Sequence, residues 1–503
     1  ILNWRFDVHP RLYADTLCIA RALHGVEVGG SLHALSQRYD IGSKGTEVLE
    51  AIGKRRDSFS EEELDRYGDY CVNDVELTYK LFKIMGKNFP RQELRIIDAT
   101  LRMFIEPMLD LDLGLLEQHL ESIKAVKDDL ITSCGVDKSE LMSNPKFAEL
   151  LEGLDVSPPM KISPTTGKST FAFAKSDDGF KQLLDHPNYK VQALANARLG
   201  NKSTLEETRT QRFIDISKRG LLPVPVRYYA AHTGRWGGDD KINLQNLPSR
   251  GPHGKKLKKS IVAPEGYTIV DCDSSQIEAR VLAWLAGQDD LVLAFANKED
   301  VYIKMASIIY GVPEDKVTKE QRFVGKTTIL GAGYGMGALR FNVLWRDCQN
   351  MLVELARSRS RDFGTNDIIK PVVTDHFVGI RLPSGLIMKY GDLRWQRNDK
   401  GVEFSYKTRR GRTRIYGGKV VENVCQGIAR CVIAEQMLAI AKKYRPVLTV
   451  HDSIACCVPI EEATEAQTYI EACMRKTPTW AEGLPLDCES GVAKAYGDCD
   501  PDE

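Results

Sequence analysis

Two aspartates stand where sequences seldom leave a charge. Asp452 interrupts the apolar run Val447-Leu-Thr-Val-His-Asp-Ser-Ile-Ala-Cys-Cys-Val458, and Asp273 closes the stretch that starts at Tyr267. A carboxylate inside an apolar strand must be paired, metal-bound or at a hairpin tip, because burying it alone is costly. Taken singly, each has a plain structural explanation: a hairpin tip for Asp452 and a helix cap for Asp273. Brought together on adjacent strand ends, they could bridge two Mg2+ ions, or Mn2+ in their place, about 3.5 to 4 Å apart. Such a pair activates an attacking oxygen and stabilises a leaving pyrophosphate, which is the chemistry of phosphoryl transfer.

A second set lies on one helix. Arg322, Lys326, Leu330 and Tyr334 recur every fourth residue, so they run along one slowly drifting face and span roughly 18 Å, about a nucleotide's length. The cations at one end could hold a triphosphate while the aromatic end meets a base. Glycines at 331, 333, 335 and 337 should end the helix near Tyr334 at a hinge by Gly335. An amphipathic helix with a solvated basic edge would show the same spacing. Two basic clusters could track phosphates: Lys255, Lys256, Lys258 and Lys259, then Lys407, Arg409, Arg410, Arg412 and Arg414. A solvated loop or hairpin is the alternative for each.

The elements that must carry these residues can be read coarsely. Tyr267 to Val270 reads as a short strand ending in Asp271, Cys272 and Asp273, with Ser274 and Ser275 as N-caps of a following helix. Residues 1 to about 90 mix short apolar strands with helical stretches such as Asp74 to Phe82. Leu101, Phe104, Ile105, Met108 and Leu109 give helical spacing over 98–132, broken at Pro107. Ser157 to Lys168, with Pro158, Pro159, Pro164 and Gly167, reads as a loop between helices, and Lys190 to Arg212 as one polar helix. Helical patterns continue to about 360, Ile380 to Tyr416 reads as β-ribbon, and another helix covers about 420–443.

Bulk properties bound the answer. At 503 residues the chain holds two to four packed units. Lys plus Arg equals Asp plus Glu at 69 each, so net charge argues nothing about nucleic acid, and local clusters must. No apolar run approaches a membrane span of about 18 residues and no signal pattern opens the chain. A soluble, intracellular protein with a cytoplasmic location is expected, the host's cytoplasm in the viral case. Twelve cysteines without CxxC spacing are expected to stay reduced, with no structural metal. The first residue is Ile1, which suggests a removed N-terminus or a fragment.

At this point the motifs resemble those of the family A, DNA polymerase I-like, DNA polymerases, especially the bacteriophage members. Asp273-Ser-Ser-Gln-Ile-Glu-Ala-Arg280 resembles motif A, Arg322-Phe-Val-Gly-Lys326 through Tyr334-Gly335 motif B, and Val450-His-Asp-Ser453 motif C. Thr233-Gly-Arg235 and Asn243-Leu-Gln-Asn-Leu-Pro248 resemble the primer-template stretch ahead of motif A, and Gln426 lies in a segment resembling the minor-groove helix. The likeness implies an α/β and α+β multidomain fold, a right hand over residues 93–503. The thumb would cover about 110–215, the palm about 216–290 and 425–503, and the fingers about 291–424.

It implies further that Asp273, Asp452 and the Ser274 carbonyl bind the metals. Arg322 and Lys326 bind the incoming dNTP, and Lys326 can protonate the pyrophosphate. Gln276, Leu330 and Tyr302 complete that pocket, Glu278 excludes a ribose 2′-hydroxyl, and Tyr334 stacks near the templating base. Arg235, Asn243, Gln245, Asn246, Gln426 and His451 face the primer-template. Primer-template DNA and dNTPs are the implied partners, with replisome proteins such as a helicase and a single-strand-binding protein beside them, for a monomeric enzyme of phage or prophage DNA replication. Three positions depart from the family pattern: Leu330 for an aromatic, Ser453 for a glutamate and Tyr302 for a histidine.

Residues 1–92 carry a weaker likeness. Asn3-Trp-Arg-Phe-Asp7 and Tyr70-Cys-Val-Asn-Asp74 resemble the second and third motifs of 3′→5′ exonucleases with an RNase H-like fold. Asp7 and Asp74 would share a metal and Tyr70 would orient water. The first motif, Asp-x-Glu, would fall before Ile1, so little or no proofreading is expected. A silent DNA-binding relative and a single-subunit RNA polymerase are the competing readings. The metal aspartates with the two cations argue against the first, and Glu278 against the second.

Overall fold

The protein is described from a computed structural model. It covers residues 2–25, 29–163, 166–202, 204–248, 254–334, 339–359, 368–375, 377–399, 401–408 and 411–499, with the side chains of 330–342 and 398 outside the description.

The N-terminal hundred residues fold as helices, chiefly α1 (Thr16–His24), α2 (Leu32–Tyr39), α3 (Glu61–Gly86) and α4 (Arg91–Ile105). The short strands expected before residue 90 do not form among the described residues. The helical stretch expected from Asp74 is the second half of α3, whose start is set by a capping box between Ser60 and Glu63. Tyr70, Leu77, Leu81 and Met85 form its buried stripe, and Ile19 and Leu35 pack into the same layer. Their spacing is helical, so the apolar patches of this region serve helix packing.

The break expected at Pro107 separates α4 from α5 (Leu113–Cys134). Beyond α5, the helix expected over 190–212 is two helices, Tyr189–Lys202 and Leu205–Ser217. The second docks on α5 through Lys127–Glu207 at 2.6 Å and His119–Glu206 at 3.1 Å. From the first, Asn201 Nδ2 donates to the Lys127 carbonyl at 3.4 Å. Ser157–Lys168 is likewise not a plain loop: Met160–Ile162 pairs with Ser169–Phe171 as a hairpin, with Gly167 at φ 67° in its turn. Proline and glycine mark its ends and turn rather than its whole length.

The central sheet is antiparallel. It holds β1 (Tyr267–Ser274), β4 (Pro446–Val450), β5 (Ser453–Pro459) and β6 (Cys488–Ala493), with β2 (Ile387–Tyr390) and β3 (Gly401–Thr408) lying elsewhere; its order is β4-β5-β1-β6. β2 and β3 belong to two separate three-stranded sheets, which together replace the single ribbon expected over 380–416. Between β1 and β2 run α6 (Ile277–Leu285), α7 (Val301–Tyr310) and α8 (Lys319–Tyr334). α9 (Gly417–Ile440) is buried along most of its length.

One buried polar cluster ties these layers together. Arg430 of α9 forms an ion pair with Glu93 of α4, both almost fully buried. Tyr228 Oη donates to Glu93 at 2.6 Å, and the Arg430 guanidinium lies 5.0 Å from the centre of the Trp236 ring. Trp236 Nε1 in turn donates to Thr100 Oγ1 at 3.0 Å. Through the Tyr228–Glu93 and Trp236–Thr100 bonds and the Arg430–Glu93 ion pair, the cluster fixes the 228–236 loop against two helices.

Candidate active site

The two aspartates converge through backbone pairing. Ser453 of β5 lies opposite Asp273 of β1, so Asp452, one residue earlier in the β4–β5 turn, sits at the same sheet end. The Ser274 amide donates to the Asp452 carbonyl at 3.2 Å, extending the ladder by one rung past the strand. His451, exposed, takes φ 54° in that turn. On the other side Glu489 of β6 lies opposite Asp273, and directly paired residues share a sheet face. That third carboxylate was not anticipated; the alternation of the C-terminal strand is the signal that carried it. Ser275 Oγ contacts Glu489 at 3.4 Å.

The corner after β1 departs from the serine caps expected. Gln276 occupies the N-cap position of α6 in the left-handed region at φ 55°, without a side-chain cap bond. Arg280, buried, holds the corner instead: its Nε donates to the Ser275 carbonyl at 2.8 Å and its guanidinium lies 4.8 Å from the centre of the Phe295 ring. Burial disfavours its charge, which makes the carbonyl partners necessary.

Glu278, in the first turn of α6, pairs with Arg235 at 2.8 Å, and Arg235 also pairs with Asp452 at 3.1 Å. One guanidinium thus joins residues from three separate sequence motifs. Although burial opposes its charge, the Asp452 and Glu278 carboxylates raise the Arg235 pKa.

Arg322 Nε donates to Asp300 at 2.7 Å. Asp300 also caps α7, accepting from the Tyr302 and Ile303 amides at 3.0 Å each, a double role its place before Val301 could have suggested. Tyr302 is only 3% exposed, so its ring underlies the cations: Arg322 and Lys326 lie 5.4 and 5.8 Å from its centre. Burial pushes its hydroxyl up to about 12. The packing of α7 on α8 is close enough that a Cβ at Gly325 would come within 2.2 Å of the Tyr302 carbonyl. Leu330, Tyr334 and the Gly335 hinge fall outside the described side chains or residues.

Among the primer-template candidates, Gln426 bonds Glu422 at 3.3 Å, and both are half-buried on the otherwise buried α9. Asn243 ends against Gly238, where a Cβ would meet its amide at 2.5 Å. Gln245 and Asn246 lie on a short 3-10 turn, and Arg209 donates to the Asn246 carbonyl at 2.8 Å.

The basic clusters are partly neutralised. Arg394 and Arg412 both pair with Asp392 at 2.9 Å, Arg414 pairs with Glu403 at 3.3 Å, and Lys259 with Asp498 at 2.7 Å. Arg409 and Arg410 lie outside the described residues.

The N-terminal candidates do not converge in this way. Asp74 and Tyr70 both accept from Lys44, the latter at 2.5 Å. Asp7 takes φ 52° just after a short helix and bonds His9 at 2.8 Å with a side chain 95% exposed. Asn3 bonds Tyr13 and His9.

Comparison with known proteins gives the same answer from several directions. The family model described as DNA polymerase family A matches residues 114–345. A DNA polymerase of Bacillus phage SP02 is 24% identical, with 98% of this chain and 85% of the relative aligned. DNA polymerase I of Borreliella burgdorferi is 23% identical over 97% of this chain, which spans about half of that relative, 53%. The thermostable DNA polymerase I of Thermus aquaticus is 38% identical over 25% of this chain and 15% of its own length. The solved polymerase domain of Pol1 from M. smegmatis, in complex with DNA primer-template and dNTP, superposes with a TM-score of 0.64 at 18% identity, covering 96% of this chain and 82% of that one. With a family model matching residues 114–345, relatives aligned along nearly its whole length and a shared fold, the chain is similar to the family A DNA polymerases.

Proposed function

We propose that this chain extends a primer 3′ end on a DNA template with dNTPs, using Asp273, Asp452 and the Ser274 carbonyl to hold two divalent cations. One observation carries the reading: the pairing of β5 with β1 and the Ser274–Asp452 backbone bond bring two aspartates, 179 positions apart by number, to one sheet end. The donors are hard oxygens, the set Mg2+ and Mn2+ prefer. No group of three His, Cys, Asp or Glu side chains among the described residues forms a closed metal cage, and Mg2+ sites in such enzymes draw remaining ligands from substrate phosphates. When bound, the cations would activate the primer hydroxyl and neutralise the triphosphate.

The chain's own residues supply the rest. Arg322 and Lys326, braced by Tyr302 and Asp300, present positive charge to the triphosphate, and Lys326 is positioned to give a proton to the leaving pyrophosphate. Glu278, held by Arg235, stands against the sugar and disfavours a 2′-hydroxyl. Gln276, Leu330 and Tyr334 complete the nucleotide pocket. Arg235, Gln426, Asn243, Gln245, Asn246 and His451 serve the primer-template. The thumb, palm and fingers take the boundaries drawn from the sequence, and the work of the enzyme is phage or prophage replication, with helicase and single-strand-binding protein as neighbours and a monomer as the unit. No helix of the described residues is long and apolar enough to cross a membrane, in keeping with action in the cytoplasm.

Proofreading by the N-terminal unit is weak or absent in this reading, because the Lys44 ammonium engages both Tyr70 and Asp74, where a metal ion and its water would act. The test is primer extension with Mg2+ and either dNTPs or rNTPs, run on wild type and Asp452→Asn. Extension with dNTPs by wild type alone is expected. Equal extension by both proteins would discard the metal assignment, and a preference for rNTPs would discard the role given to Glu278.

A further inference from the structure

A cavity of about 1310 Å³ opens between the N-terminal helices, the 227–232 loop and the sheets bearing β2 and β3. None of the residues assigned above to metal or dNTP lines it, and of the basic residues that could track phosphates only Lys407 does among the described residues. Its charge is one-sided. Arg21 and Arg38 face it from α1 and α2, Lys389 from β2 and Lys407 from β3, against a single acidic lining residue among the described residues, Asp375. Arg227 also lines it but is neutralised by Asp239 at 2.6 Å. In a chain with zero net charge, such a local excess marks an anion's place.

Lys389 makes the case most sharply. Its Nζ donates to the Ala22 carbonyl at 3.2 Å and lies 5.0 Å from the centre of the Phe377 ring, with no carboxylate ion pair among the described residues. Burial, aided by Arg38, brings its pKa down to about 8, so an ammonium there is poorly compensated until an anion arrives. The walls also offer rings: Tyr39, Phe377 and Tyr406. His24 and His232, held near 4 chiefly by burial, stay neutral at pH 7 and leave the charge to the lysines and arginines. Ligand pockets run to about 1,000 Å³, so this one has room for more than a single nucleotide.

Phosphate-seeking cations interleaved with stacking rings are the chemistry of sequence-tolerant single-strand binding. We infer that this cavity binds a phosphate-linked base as a second nucleic-acid site, either in an unpaired strand or as a free nucleotide. Strand and nucleotide share that chemistry, and competition separates them.

The experiment is photocross-linking of the full chain to a short single-stranded oligodeoxynucleotide carrying iodouracil, followed by peptide mapping. Labelling is expected on the peptides bearing Tyr39, Phe377 or Tyr406, reduced by about tenfold, the worth of one stacking or charge contact, in Arg38→Glu and in Lys389→Met. Both variants should retain primer extension within about twofold, a change too small to reflect lost contacts with the reacting groups. Displacement of the label by ATP would identify the free nucleotide as the ligand, and its persistence the strand. Labelling confined to other peptides, or unchanged in both variants, overturns the site. Loss of extension in parallel with loss of labelling would merge the cavity with the polymerase cleft and overturn it as a separate site. The labelling outcomes do not depend on Asp273 or Asp452.

Discussion

The protein carries two pairs of aspartates that its sequence marks for metal chemistry, and the fold treats them differently. Asp273 and Asp452 lie one rung apart on a hydrogen-bonded ladder, so any native arrangement of β1 and β5 delivers them together. Asp74 lies within α3 and Asp7 just after a short helix, and each bonds a partner, Lys44 and His9. A strand register transmits position through the backbone at a few ångströms per residue. Helices set side chains by packing alone, and packing accepts a salt bridge as readily as a metal site. The contrast sets a pair brought to one sheet end by strand register apart from a pair whose members each bond another side chain.

The comparison can be broken or sharpened by substitution. The largest effect is expected for Asp452→Asn, which should lower single-turnover primer extension by about a thousandfold, near 4 kcal/mol of transition-state stabilisation; a loss under about tenfold in rapid-quench kinetics would place the cations elsewhere. Next comes Arg430→Met, which leaves Glu93 buried without its cation. Thermal unfolding should report a loss of about 3 kcal/mol, and a stability close to wild type would mean that the 228–236 loop is held by apolar packing alone. Lys44→Met should cost at most about 1 kcal/mol, because that pair is partly solvated. The least effect is expected for Asp7→Asn: removal of a mispaired 3′ end should stay at the wild-type rate. A clear drop in that rate would show that the N-terminal pair still works.

Much of the site could be read from residue order. The motif around Asp273, the cations at 322 and 326 and the His-Asp turn stand where the sequence put them, because each motif is local: a strand end, a helix face, a hairpin tip. The helix boundary near 105 follows from proline for the same reason. The misreadings share a cause as well. Apolar patches before residue 90 resembled strands because short apolar runs fit either period. The single helix expected over 190–212 is two helices, each with partners on α5 that lie outside its own sequence. The serines expected to cap α6 do not: Gln276 takes the N-cap position, and Arg280 ties the corner both to the nearby Ser275 carbonyl and to the distant Pro485 carbonyl.

What the sequence determined by itself, then, is the inventory of chemistry: two carboxylates in apolar runs, two cations a helical turn apart, and the local elements that carry them. Only the tertiary structure decided which of these meet. It set Glu489 opposite Asp273, joined Asp452 and Glu278 through Arg235, seated Arg322 on Asp300 and gave Lys44 to Asp74. The physical reason is range. Propensity, capping and periodicity act within a few residues, whereas strand register, buried ion pairs and cavity walls arise from segments hundreds of residues apart that no local pattern can encode.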